Sequence, residues 1–287
     1  MKETISFISE ALHEQYPPEE INTFTRWILE EVCNLTLQQQ ILCKDIQLSH
    51  AKKEHIQMIV QRLRKMEPLQ YILEKCYFYG LIFNVNPSVL IPRPETEELV
   101  NHIIGSETKS NLKILDIGTG SGCIAVTLAK HLVNPEVYAI DISAEALVTA
   151  NKNAKQNNTI VHFQHIDILS DNVLENYAGQ SFNIIVSNPP YVKNSEKATM
   201  LDNVLHHEPH QALFVPDHDP LLFYRRIADI GLLMLKKSGR LYFEINAACG
   251  AIITDMLNEK GYQNIQLIQD LEGKDRFVKA TKRNMEK

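Results

Sequence analysis

Ile114-Leu115-Asp116-Ile117-Gly118-Thr119-Gly120-Ser121-Gly122 is the stretch on which the fold turns. An apolar run enters three glycines spaced two apart, the pattern of a buried strand ending in a tight turn before a helix. Glycine lets the backbone turn sharply there and leaves room for a ligand where a side chain would collide. Outward from this point the chain alternates short apolar runs with helical patterns. The runs at 113–117, 136–140, 161–165, 182–187, 239–245 and 264–268 predict strands. Continuous apolar strands alternating with helices imply an α/β fold with a parallel sheet covered on both faces.

Residues 1–73 have a different character and predict helices only. Ile5, Ile8 and Leu12 recur at helical spacing, and Phe24, Trp27, Ile28 and Val32 form a second stripe after Pro17-Pro18. Ser49 can cap a third segment in which Ile56, Ile59, Val60 and Leu63 share a face, and Pro68 stops it. Such stripes are those of a small helical bundle packing its own core. Between the two regions, Tyr77, Phe78, Tyr79, Ile82, Phe83 and Val85 surround Gly80, and Asn86-Pro87 signals a turn. A β-hairpin over 74–92 is expected to join an N-terminal helical domain, 1–73, to a larger domain, 93–287.

Bulk properties narrow the function. The 287 residues suffice for two domains, and 44% apolar with 22% charged residues is ordinary for a soluble globular chain. A net charge of −6 argues against affinity gained by covering nucleic-acid phosphates. The cysteines (Cys33, Cys43, Cys76, Cys123, Cys249) contain no CxxC pair and read as reduced thiols packed as small hydrophobes. The histidines show no metal-ligand spacing, so no metal is expected. Acids interrupt the apolar positions of the N-terminus, unlike a signal peptide, and no apolar run nears the roughly 18 residues of a membrane span. A cytoplasmic protein is expected.

The loop Gly118-x-Gly120-x-Gly122 departs from GxGxxG, which seats a pyrophosphate at a helix N-terminus. With Asp116 in the preceding strand, it suits S-adenosylmethionine, which has no phosphate. Thr119 and Ser121 belong to the same loop. Asp141, at the tip of the next strand beside Ile142, can accept both ribose hydroxyls; alternatively it is a helix cap, a task Ser143 could also take. Asp167 is placed for the adenine amino group with Ile168 beside the ring, although either could be a turn residue.

The strand at 182–187 runs into Asn188-Pro189-Pro190-Tyr191. Two prolines cannot continue a ladder, so the chain breaks where ligands bind in doubly wound sheets. An amide or aromatic amine nitrogen is a poor nucleophile because its lone pair is delocalised. Acceptors on its two N–H groups, the Asn188 side-chain oxygen and the Pro189 carbonyl, turn that lone pair towards a methyl donor. Tyr191 can stack on the flat group. No strong base is required.

Taken together with Glu67-Pro68-Leu69-Gln70-Tyr71-Ile72, Phe78-Tyr79-Gly80, Val89-Leu90-Ile91-Pro92-Arg93-Pro94-Glu95-Thr96-Glu97 and Glu208-Pro209-x-x-Ala212-Leu213, these motifs resemble the HemK-type protein-(glutamine-N5) methyltransferases over nearly the whole chain. The resemblance implies a Rossmann-like class I methyltransferase domain behind an all-α substrate-binding domain. It also implies S-adenosylmethionine as methyl donor, with S-adenosylhomocysteine as product. The implied substrate is the glutamine of the Gly-Gly-Gln loop in class I peptide chain release factors. A monomer acting without nucleic acid or membrane is expected. Ile168 departs from the aromatic residue of some relatives. Pro92 and Arg93 are expected at the substrate. Glu95 and Glu97 are either first-turn acids of a helix or part of a segment closing over the site. The competing expectations are an adenine-N6 methyltransferase acting on a flipped base of DNA or RNA, and a non-catalytic adaptor with a decayed site.

Overall fold

The computed structural model describes residues 1–42, 46–170, 173–177 and 179–283. In chain order the helices and strands are α1 Lys2–Leu12, α2 Pro18–Cys33, α3 Leu37–Leu42, α4 His50–Leu63, α5 Leu69–Ile72, β1 Lys75–Phe78, β2 Leu81–Asn84, α6 Pro94–Ser106, β3 Lys113–Ile117, α7 Cys123–His131, β4 Glu136–Asp141, α8 Ala144–Gln156, β5 Val161–His165, α9 Val173–Asn176, β6 Phe182–Ser187, β7 Val192–Lys193, α10 Asp202–His207, β8 Phe214–Val215, α11 Leu222–Met234, β9 Leu235–Glu244, α12 Gly250–Glu259, β10 Tyr262–Gln269 and β11 Asp275–Lys282. They divide into two compact units, Met1–Glu74 with Leu201–His207, and Lys75–Met200 with Glu208–Lys287.

The smaller unit is helical. Ile8 and Leu12 of α1, Ile28 and Leu29 of α2, and Ile56, Ile59, Val60 and Leu63 of α4 form its core. Each such side chain contributes about 1.5–3 kcal/mol by leaving water. Ile5, expected on the α1 stripe, is exposed, whereas Thr4 is buried with Ile8 and Leu12. Ser49 caps α4 by accepting from the Lys52 amide, and Tyr16 donates to the Leu63 carbonyl at 2.8 Å.

In the larger unit a seven-stranded sheet has the order β10-β11-β9-β6-β3-β4-β5. β3 pairs in parallel with β4 and β6, β4 with β5, and β6 with β9. Alternation along the strands fills two cores. Leu115, Ile185 and Phe243 face Tyr224 and Ile227 of α11 and Ile253 of α12. Ile114, Ile184 and Tyr242 face Leu99 and Ile103 of α6 and Val126 of α7. Phe78 and Phe83, on the two strands of the β1–β2 hairpin, belong to this second core. The hairpin turns through Tyr79 and Gly80, both at positive φ (48° and 72°), the turn type that matches strand twist.

Two expectations about strands need correction. The sheet is mixed, because β11 runs antiparallel to both β9 and β10. Only a five-residue turn separates β10 from β11, and a parallel return needs a crossover of a dozen or more. β9 also starts earlier than residue 239. Phe182 pairs with Leu235 and Ile184 with Arg240, so Lys236-Lys237-Ser238-Gly239 stand opposite Asn183 as an irregular bulge within the strand, with Ser238 at φ 58°.

Cys33, Cys76, Cys123 and Cys249 are buried free thiols, and Cys43 lies outside the described residues. Among the described residues no helix is long and apolar enough to cross a membrane.

Candidate active site

The chain moves from β3 to β4 and β5 on one side and returns to place β6 on the other, so the sheet order reverses beside β3. Ligands of doubly wound sheets sit outside the carboxyl ends of the strands at such a point. There the larger unit holds a cavity of about 440 Å³, within the usual range of small-molecule sites. The Ser187 hydroxyl donates to the Ile117 carbonyl at 2.7 Å, tying the two strand ends from which the glycine loop and the Asn188 turn depart.

Gly118, Gly120 and Gly122 all stand at positive φ (73°, 54° and 81°), which L side chains rarely adopt. The amides of Gly118 and Thr119 both donate to the Ile140 carbonyl, anchoring the loop to β4. Gly118, Thr119, Gly120 and Ser121 line the cavity. Two residues expected there do not. Gly122 packs behind the loop, where an added Cβ would come within 3.1 Å of the Ala150 Cβ. Asp116 is fully buried and accepts from the Thr119 hydroxyl at 2.6 Å. Burial pushes its carboxyl up to about 7, partly offset by the Thr119 hydroxyl and the Ala125 amide. Asp116 therefore shapes the loop from the inside.

Asp141 does line the cavity. Its Oδ2 accepts from the Gly120 amide at 2.8 Å and its Oδ1 from the Ser143 amide at 2.9 Å. Ser143, not Asp141, caps α8 by accepting from Ala146. Each carboxylate oxygen keeps a lone pair for a ligand. Burial raises the Asp141 carboxyl, and these amides pull it down. Ile142, Asp167 and Ile168 also line the cavity. Asp167 accepts from the Leu169 amide at 2.8 Å, so it serves a turn as well. Arg226, a residue sequence reasoning missed, fixes this loop by donating to the carbonyls of Ile168 and Ser170.

The opposite wall carries Asn188, Pro189 and Pro190. Asn188 and Pro189 also line a neighbouring hollow of about 60 Å³, together with Arg93, Tyr191 and Glu244. The Asn188 Nδ2 donates to the Thr96 Oγ1 at 3.2 Å, and the Thr96 hydroxyl donates to the Glu244 Oε2 at 2.7 Å. The Tyr191 hydroxyl reaches the Glu244 Oε1 at 3.3 Å. Tyr191 lines the hollow but not the main cavity, and its ring packs on the core beside α11. Burial pushes Glu244 up to about 7; Thr96 and Arg276 lower it and Glu95 raises it. Burial, then the Glu244 charge, raises the Tyr191 hydroxyl well above its ordinary value.

Glu244 and Thr96 were not singled out as site residues from sequence. Thr96 looked like a helix start. Glu244 carried the signal already used for Asp141, an acid ending an apolar strand. Pro92 and Arg93 line the cavity, but the Arg93 guanidinium is paired at 2.5 Å with the buried Glu208, which also lies 3.4 Å from the Ile91 amide. Glu97 accepts from the Tyr79 amide at 2.8 Å and so supports the hairpin turn. Among the described residues no group of three or more His, Cys, Asp or Glu side chains is placed to hold a metal.

Known proteins resemble this chain in both parts. Residues 3–73 match the PrmC N-terminal domain and residues 95–214 the Methyltransferase small domain. The release factor glutamine methyltransferase of Bacteroides thetaiotaomicron is 44% identical over 282 residues, covering 98% of this chain and all of that protein. Its counterpart in Flavobacterium psychrophilum is 45% identical over 275 residues, covering 94% of this chain and 95% of that protein. A methyltransferase from Pyrococcus furiosus superposes with a TM-score of 0.52 at 18% identity, over 72% of this chain and 91% of that one, a likeness of fold alone.

Proposed function

This chain belongs to the release factor glutamine methyltransferase family, and on that footing we propose that it transfers a methyl group from S-adenosylmethionine to the side-chain N5 of the glutamine in the Gly-Gly-Gln loop of class I release factors. The large cavity fits the cofactor on its own terms. Arg93 is the one Lys or Arg lining it among the described residues, and it is already paired with Glu208. That leaves no uncompensated cation for a phosphate. Bound there, S-adenosylmethionine supplies an electrophilic methyl on a sulfonium.

The residues divide the work. The glycine loop shapes the floor and Asp141 accepts the ribose hydroxyls, while Asp167 and Ile168 border the adenine. Asn188 Oδ1 and the Pro189 carbonyl accept the two hydrogens of the glutamine amide and aim its lone pair at the cofactor. Tyr191 flanks the amide from the smaller hollow rather than covering the cofactor. The helical unit supplies the area needed to grip the factor, since a short loop alone buries too little for a specific interface. The protein acts as a monomer, without nucleic acid.

The observation that carries this assignment is the place of Asn188 and Pro189 on the wall common to cavity and hollow. The adenine-N6 alternative rested on the Asn-Pro-Pro-Tyr run alone, whereas the relatives named above match over nearly the entire chain. Incubating a class I release factor with enzyme and cofactor should add one methyl mass to the Gly-Gly-Gln peptide. An unmodified peptide beside a methylated oligonucleotide would reverse the assignment.

A further inference from the structure

We propose that Thr96 and Glu244 form a buried relay that sets which way the Asn188 amide faces, so that its oxygen and not its NH2 group meets the substrate. The inference deepens the assignment of Asn188 as amide acceptor and rests on it.

Donor and acceptor chemistry makes the case. An ionised carboxylate can only accept, and Glu244 is met by a hydroxyl at each oxygen: Thr96 at 2.7 Å and Tyr191 at 3.3 Å. When Glu244 is ionised, the single Thr96 proton is therefore committed to it. Its oxygen can then only accept from Asn188, which turns Nδ2 inward at 3.2 Å and leaves Oδ1 facing the other way. Without the charge at Glu244 the Thr96 hydroxyl is free to rotate and donate to Asn188, and the amide can turn over. A flipped amide would present a donor to the substrate N–H groups, and two donors do not bond.

Burial gives the relay its strength. Thr96 is 3% and Glu244 2% exposed, so water cannot substitute for a missing partner. Three separate parts of the chain converge on the amide. Thr96 sits in the first turn of α6, Asn188 follows β6, and Glu244 ends β9. Arg276 on β11 and Glu95 on α6 are the charged groups whose fields act on Glu244, with opposite sign. Arg276 is itself paired with Asp270 at 3.1 Å. Thr96 and Glu244 are thus positioning residues.

The test uses the full-length enzyme with intact release factor and measures kcat, KM and cofactor affinity separately. Thr96→Val should lower kcat by about 10- to 100-fold, the scale of a misplaced reacting group. Cofactor affinity should change by less than about threefold, because the glycine loop and Asp141 are untouched. Thr96→Ser, which keeps the hydroxyl, should restore most of the rate. In an Asn188→Ala background, Thr96→Val should cost less than about threefold more, since both act through one amide. Glu244→Gln is the second probe, and it too should be non-additive with Asn188→Ala. A wild-type kcat for Thr96→Val beside a crippled Asn188→Ala would overturn the relay and leave the Asn188 role standing. An inactive Glu244→Gln with a normal Thr96→Val would also overturn it, by making Glu244 act on the substrate directly. A wild-type rate for Asn188→Ala would remove the assignment beneath both.

Discussion

The two walls of the cavity are built in opposite ways. The cofactor wall is local and anchored largely by backbone amides: Thr119 and Asp116, joined through their side chains, are 3 residues apart, Gly120 and the Asp141 carboxylate are 21 apart, and the Gly118 and Thr119 amides hold the loop to β4. The Asn188 wall is assembled from side chains that meet across the fold, with Thr96 92 residues from Asn188 and 148 from Glu244. Backbone amides keep their direction whatever the neighbouring side chains do. An amide side chain has two orientations of nearly equal shape, so it needs an imposed choice. The difference predicts that damage to the first wall shows in binding and stability, and damage to the second in rate.

Asn188→Ala should break this contrast most visibly. Methyl transfer should fall by about 10²–10³, the scale for removing one preorganised polar contact at a reacting centre. Cofactor affinity should drop by no more than tenfold, or roughly 1.4 kcal/mol. Single-turnover kinetics beside calorimetry separates the two. Asp141→Ala should do the reverse, weakening cofactor binding by about 1–3 kcal/mol as a charged acceptor is lost. Because Asp141 also holds the Gly120 and Ser143 amides, the melting temperature without cofactor should fall as well. An unchanged melting temperature would mean that these two bonds contribute nothing to the loop.

Smaller effects sharpen the account of the loop. Ala at Gly118 and Ala at Gly122 each incur strain of roughly 1–2 kcal/mol from positive φ. Nothing lies within 4 Å of a Cβ at Gly118, whereas one at Gly122 meets Ala150 at 3.1 Å. Gly122→Ala should therefore cost more stability by denaturant titration, and Gly118→Ala should cost more cofactor affinity. Equal stability losses would show that α7 and α8 can move apart.

Proton linkage gives the gentlest trend. Asp116 and Glu244 both stand near 7 in the folded chain, above their ordinary values, chiefly through burial. The folded state then holds these protons more tightly than the unfolded one. Their contribution to stability is complete below the ordinary carboxylate range and is lost as the pH rises through about 7. The melting temperature of the cofactor-free enzyme should thus decline between about pH 5 and 8. Over the same interval kcat should rise, because the relay needs Glu244 charged. A melting temperature that climbs over this interval would contradict the linkage.

What could be read from the sequence follows the same division. The strands Lys113–Ile117, Val161–His165 and Phe182–Ser187 are legible to the residue, because a turn or break signal follows each within two residues: Gly118, Asp167 and Asn188-Pro189. The tight turn expected of the three loop glycines is present, and all three take positive φ. β11 was not legible, since Asp275–Lys282 mixes charge through its length and finds its place only by slotting between β9 and β10. One-dimensional adjacency cannot tell the lining of a turn from its backing, and Asp116 and Gly122, expected at the ligand, form the backing. Thr96 and Glu244 escaped notice as site residues because no local pattern links residues so far apart in the chain.

On the proposed function, Asn188 and Pro189 present an oriented acceptor pair to a planar amide. The most direct measurement is fragment mass spectrometry of the Gly-Gly-Gln peptide after incubation with wild-type and Asn188→Ala enzyme at matched cofactor occupancy. The wild type should place one methyl on the glutamine side chain, and Asn188→Ala should place almost none in the same time. Equal methylation by both proteins, with the cofactor bound in each, would show that Asn188 does not orient the amide.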